Sequence, residues 1–118
     1  MSFDHERLDV YQAALDFVVL AEDASEHLPR GRSHLADQLH RAATSIVLNI
    51  AEGAGKYSKP DKRRFYVTAR GSTTESAAIF DILLRLGAVT PDLQADAKTK
   101  LVRIASMLIK LAKSLEGA

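Results

Sequence analysis

The chain has 118 residues and no cysteine, so it is long enough to bury a hydrophobic core, and it lacks a disulfide framework, a thiolate nucleophile and any Cys-ligated zinc site. Hydrophobic residues make up 47% and charged residues 26%, which excludes the low-hydrophobicity, high-charge composition of disordered chains. The net charge of +1 conceals an asymmetry that points to a charged partner: residues 1–25 hold six acids and one base, residues 26–70 nine bases and four acids, and residues 71–118 six bases and five acids.

Asp4, Glu6 and Asp9 stand where a secretory signal needs positive charge, and the apolar runs are too short for a bilayer. One cytoplasmic domain over residues 1–118, with no membrane association and no cofactor, is the expectation. Helical periodicity dominates and no alternating strand pattern is evident. Asp9 and Gln12 resemble a capping box, with Leu8 as a staple, and helix one is expected to end near Leu28, before Pro29 and Gly31. Ser33 is placed to cap helix two, whose apolar face reads Leu35, Leu39, Ala42/Ala43, Ile46 and Ile50, and Gly53 and Gly55 are expected to stop it. Ser58 and Pro60 open helix three, with a seam of Phe65, Ala69, Ser72, Ser76, Ile79, Leu83 and Leu86 ending at Gly87. Thr90-Pro91-Asp92 opens helix four, whose stripe is Leu93, Ala97, Leu101, Ile104, Leu108, Leu111 and Leu115. Joints this short predict an all-α, antiparallel up-down-up-down four-helix bundle. Val47, Leu48, Phe80, Leu84, Val102 and Ile109 widen the apolar faces, which predicts a second buried surface and hence a homo-oligomer.

The run Gly53-Ala54-Gly55-Lys56 invites comparison with a phosphate loop. It fails: Ile50 stands where the first glycine belongs, Tyr57 where the hydroxyl residue belongs, and a helix precedes it instead of a strand. The basic cluster after it, Lys56, Lys59, Lys62, Arg63 and Arg64 with only Asp61 against it, crowds cations at a helix start that the macrodipole makes unfavourable for them. Three readings are open. It is a solvated turn; it docks on the acidic ridge Asp9, Asp16 and Asp23 of a neighbouring subunit; or it is a phosphate-binding surface. Arg30 and Arg32 form a possible second patch at the other end of helix two, and Tyr57 and Tyr66 are the aromatics near enough to the first patch to stack on bases.

Catalytic signals are weak. His34, Asp37 and His40 do not make a metal-ligand motif, and Ser72 falls on a helix seam and not on a nucleophile elbow, so neither a catalytic residue nor a metal ligand is assigned. Along helix two, Gln38, Arg41, Ser45, Asn49 and Glu52 form one polar stripe, facing Arg70, Ser72 and Glu75 on helix three. Hydrogen bonds and ion pairs among Arg41, Ser45, Asn49, Glu52, Arg70 and Glu75 are expected to fix helix register, and Gly71 to mark a close backbone approach.

Those residues also carry a resemblance. Gln38-Leu39-His40-Arg41-Ala42-Ala43, then Asn49-Ile50-Ala51-Glu52-Gly53, then Ala69-Arg70-Gly71-Ser72 with Glu75, resemble the four-helix bundle proteins encoded in intervening sequences of bacterial 23S ribosomal RNA genes. Relatives often have a proline before the asparagine where this chain has Val47-Leu48, so helix two is expected to run straighter here. The resemblance implies a homo-oligomeric ring, a pentamer, and kinship with accessory proteins of diversity-generating retroelements, which are thought to bring nucleic acid to a reverse transcriptase. It supplies no catalytic residue. The resulting expectation is a non-enzymatic, oligomeric protein that binds RNA or DNA, structured RNA above all, through Lys56, Lys59, Lys62, Arg63, Arg64, Arg30 and Arg32. The alternative is an assembly or adaptor protein whose charged surfaces dock subunits or a protein partner.

Overall fold

In the computed structural model, which describes residues 1–116, four helices carry the chain: α1 (Asp9–Glu26), α2 (Ser33–Ala54), α3 (Lys59–Arg85) and α4 (Pro91–Ser114). There is no strand among the described residues, and a short 3-10 turn, Asp4–Arg7, precedes α1.

Two helix starts follow their sequence signals directly. The Ser58 hydroxyl accepts from the Asp61 amide at 3.2 Å and the Thr90 hydroxyl from the Leu93 amide at 3.1 Å, each with a proline in the first turn, where no N–H is needed. The other two starts lie one residue before the expected cap. Leu8, not Asp9, is the N-cap of α1: the 3-10 turn delivers Leu8 in an extended conformation, and its carbonyl receives Tyr11 N–H at 3.1 Å. Asp9 thereby enters the first turn, where its charge complements the helix dipole. Arg32 likewise caps α2 with its carbonyl, leaving Ser33 as the first helical residue without a side-chain cap bond.

The ends divide similarly. Gly87 (φ 71°) closes α3 in a Schellman motif, with Ala88 N–H to Leu83 O at 2.8 Å and Gly87 N–H to Leu84 O at 2.9 Å. Gly53 does not stop α2: it lies inside the helix, and Gly55 follows with a right-handed φ of −85°. A Cβ on Gly53 would fall 2.9 Å from Tyr66 Cε1 and 3.0 Å from Phe65 Cβ, whereas a Cβ on Gly71 would meet nothing within 4 Å. The close approach of α2 and α3 is therefore at Gly53 and not, as expected, at Gly71.

Each helix packs on its neighbours in sequence, and α4 closes on α1. Contacts run in opposite chain order across the pairs. Ser45 meets Ser72 while Gly53 meets Tyr66, and Asp81 meets Gln94 while Arg63 meets Glu116, so α2/α3 and α3/α4 are antiparallel. Between them lies a core whose largest fully buried members are Phe17, Phe80, Leu39, Ile46, Ile50, Leu83, Leu101, Ile104 and Leu108. Phe17 and Phe80 meet edge-on with ring centroids 6.1 Å apart, an arrangement favoured by the ring quadrupoles.

The α2 stripe is buried as expected, but the α3 seam is displaced. Ala69, Ser76, Ile79 and Leu83 are shared by the expected and observed faces, yet Tyr66, Thr73 and Phe80 also turn inward, while Phe65 and Ser72 are half-buried and Leu86 is exposed. Both flanks repeat every seven residues, so spacing alone does not choose between them; Tyr66 turns in beneath Gly53, which has no Cβ, and Phe80 meets Phe17 in the core. Of the residues expected to widen the apolar faces, Val47 and Phe80 belong to the core and Leu84 is half-buried, whereas Leu48 (62%), Val102 (57%) and Ile109 remain exposed.

Candidate nucleic-acid interface

The α2–α3 turn gathers the expected cations around one ring. Phe65, displaced from the core by Tyr66, lies under Lys56 Nζ, 5.1 Å from its centroid, and under the Arg64 guanidinium at 4.6 Å. Two cations separated by eight positions in the sequence thus share a platform through cation–π attraction. The charges of Lys56 and Arg64 are held on the surface by it. The heptad spacing makes Phe65 a seam residue; the basic positions flanking it are the signal that places it here.

The five cations are not equivalent. Lys62 donates from Nζ to the Ala54 carbonyl at 2.8 Å, compensating the negative end of α2. Arg64 is 3.7 Å from Asp61 in an exposed pair, and Arg63 Nη2 is 3.1 Å from Glu116 Oε1 near the end of α4. Arg63 Nε is buried without a hydrogen-bond partner among the described residues. Lys59 is exposed. An open groove of about 620 Å³ lined by Pro60, Arg63, Arg64, Val67, Thr68, Leu115 and Glu116 runs beside them.

The aromatic candidates part company. Tyr57 is fully exposed on the turn, whereas Tyr66 is 4% exposed beneath Gly53 and cannot present a face to a base. Burial, with a smaller contribution from the Asp4 carboxylate, raises the Tyr66 phenol above its usual 10.0. Arg30 is exposed and Arg32 half-buried in the α1–α2 connection, at the far end of the 22-residue α2. At 1.5 Å per residue they lie about 33 Å from the basic turn and do not belong to the same patch.

The polar stripe between α2 and α3 forms only in its neutral part. Ser45 and Ser72 hydroxyls are 2.8 Å apart, and Asn49 Nδ2 donates to the Ser45 carbonyl at 2.8 Å and to its Oγ at 3.1 Å. Arg41, Glu52, Arg70 and Glu75 are exposed and form no ion pair with a described residue. The expected salt bridges are therefore not made within the chain. Short hydroxyl side chains lie close enough to the helix contact to bond across it, while the long charged ones extend from its edges to water.

The acidic ridge is exposed at Asp9, Asp16 and Asp23, but not all of it is unaccompanied. Asp16 shares a shallow cleft with Lys100 and Arg103 of α4, and Asp23 is 3.7 Å from His27. His27 Nδ1 also bonds the Asp23 carbonyl at 2.8 Å, and that bond, followed by the Asp23 charge, raises the imidazole above 6.5. His40 pairs with Glu22 of α1, away from His34 and Asp37. Among the described residues no group of three His, Cys, Asp or Glu is placed to hold a metal ion, and no helix is long and apolar enough to cross a membrane.

A search among curated proteins returned no match. Among solved structures, the chain is similar to a protein of unknown function from the S23 ribosomal protein family of Bacteroides thetaiotaomicron VPI-5482, with a TM-score of 0.82 at 23% identity, over 88% of this chain and 95% of that one. At that identity the likeness establishes the bundle fold. The model of the 23S rRNA-intervening sequence protein family matches residues 6–110, and with nearly the whole bundle covered, the chain belongs to that family.

Proposed function

We propose that the protein is a non-enzymatic, cytoplasmic, oligomeric nucleic-acid-binding protein that contacts structured RNA through the α2–α3 turn. The observation that carries this reading is the pairing of half-buried Lys56 and exposed Arg64 over the Phe65 ring, on a turn that also exposes Lys59 and Tyr57. Clustered cations bind phosphates without reading sequence, so RNA shape supplies the selectivity, and Tyr57 offers a face to one unstacked base. Arg63 adds a phosphate contact, Lys62 contributes its charge while bound to α2, and Arg30 and Arg32 make a second, separate contact zone. Self-association is supported by exposed Leu48, Val102 and Ile109 and by Arg41, Glu52, Arg70 and Glu75, which pair with no described residue; a pentamer is what the family resemblance implies.

The test is fluorescence anisotropy with nuclease-treated protein and a labelled 23S rRNA hairpin over a salt series. The expected result is a linear fall of log affinity with log salt whose slope reports several neutralised phosphates, about 0.9 for each in duplex. The triple variant K56E/K59E/R64E, which spares the Lys62–Ala54 bond, is expected to keep its oligomeric state in sedimentation velocity and to lose RNA affinity. A second reading, subunit or protein-partner docking through the charged surfaces, is favoured by the exposed acidic ridge at Asp9, Asp16 and Asp23. It predicts the converse, an oligomer that dissociates in the triple variant.

A further inference from the structure

Glu116 places a carboxylate on the basic surface at Arg63, one of the two arginines that border the groove between α3 and α4. Its Oε1 lies 3.1 Å from Arg63 Nη2, at the mouth of a groove floored by Val67 and Leu115 and edged by Arg64 and Thr68. Arg63 Nε is buried there without a partner among the described residues, so Glu116 satisfies one edge of the guanidinium and leaves another donor unused. A carboxylate oxygen on a guanidinium is the same interaction that a phosphate oxygen makes, and an arginine fork donates to either bidentately.

From this geometry we infer that the Arg63 groove is a single-phosphate subsite whose resting occupant is the chain's own Glu116. The inference rests on the proposed RNA-binding role of the turn. A backbone phosphate entering the groove displaces Glu116 and engages Arg63, with Arg64 beside it. Glu116 is exposed and lies beyond Leu115, the C-cap of α4, so turning its side chain away leaves the core in place. The pair is more than 40% exposed on both sides, and exposed pairs are weak. Glu116 therefore attenuates binding and does not abolish it.

The experiment is a double-mutant cycle on the full chain, with E116Q, R63Q and the double variant titrated against the labelled 23S rRNA hairpin at constant salt. E116Q is expected to bind about two- to fivefold more tightly than the wild type, the range of one exposed ion pair. On the R63Q background the same change is expected to yield little or nothing. An equal gain in both backgrounds would mean that Glu116 acts as a general repulsive charge, and no gain in either would mean that it does not occupy the subsite; both results overturn the inference while leaving RNA binding intact. If neither the wild type nor E116Q binds the hairpin at low salt, the RNA-binding role fails and the subsite with it.

Discussion

The backbone of Gly53 lies against the ring of Tyr66, and a Cβ there would stand 2.9 Å from Cε1 of a side chain that is itself buried. A contact that short cannot be relieved by swinging a flexible tip aside. Gly53→Ala is expected to destabilise the fold by about 1–3 kcal/mol, the usual cost of overpacking. Gly71→Ala, in a helix interior with open space around it, is expected to stabilise by roughly 0.5–1 kcal/mol. Urea denaturation of the two variants side by side checks both, and equal midpoints would contradict the packing described.

The Ser45–Ser72 hydrogen bond, extended by Asn49, ties α2 to α3 in a partly buried position. Ser72→Ala is expected to cost about 0.5–1.5 kcal/mol. A cycle with Ser45→Ala should show that most of this cost disappears once Ser45 is absent. Additive losses would mean that the hydroxyls act separately.

Lys62 carries a structural duty that its neighbours do not. Replacing it with methionine keeps the stem but removes the bond to the Ala54 carbonyl, for an expected loss of about 1 kcal/mol. Lys59→Met removes the same charge from an exposed position and is expected to leave stability within about 0.5 kcal/mol of the wild type. Thermal melts at matched ionic strength distinguish the two.

Tyr57 and Tyr66 predict opposite outcomes. Tyr57→Ala, at a fully exposed side chain, is expected to leave the melting temperature unchanged and to weaken RNA binding by about 1–3 kcal/mol if one base stacks there. Tyr66→Ala is expected to unfold much of the population before any effect on RNA can be read, since truncating a buried aromatic costs about 3–5 kcal/mol.

His27 follows α1 and is held by the Asp23 carbonyl. With its pKa raised above 6.5 in the folded state, its stabilising contribution is fully present below that unfolded value and is lost as pH rises through the folded one. The melting-temperature difference between wild type and His27→Gln is expected to be largest in acid and to vanish in alkali. An NMR titration of the ring should place its midpoint above 6.5.

Much of this architecture is written in local chemistry. Ser58, Pro60, Thr90, Pro91 and Gly87 each act within one turn of their own position, and each lies where its side chain or φ angle predicts. The features that were not legible depend on a second helix. Whether Gly53 ends a helix or admits a neighbour is decided by Tyr66, thirteen positions away, and the inward flank of α3 is decided by which aromatic finds space in the core. Likewise, the sequence displays five cations on one turn, but only the folded chain assigns Lys62 to a carbonyl, Lys56 and Arg64 to a ring, and Arg63 to Glu116.

The 22 residues of α2 run without interruption between the Arg30/Arg32 connection and the basic turn. The helix is therefore a ruler. On the proposed function, an RNA shorter than its length of about 33 Å would reach one end of a subunit or the other, and a nuclease footprint on a single subunit would show one protected segment. A longer duplex lying along α2 would show two, separated by a stretch that the protein leaves open.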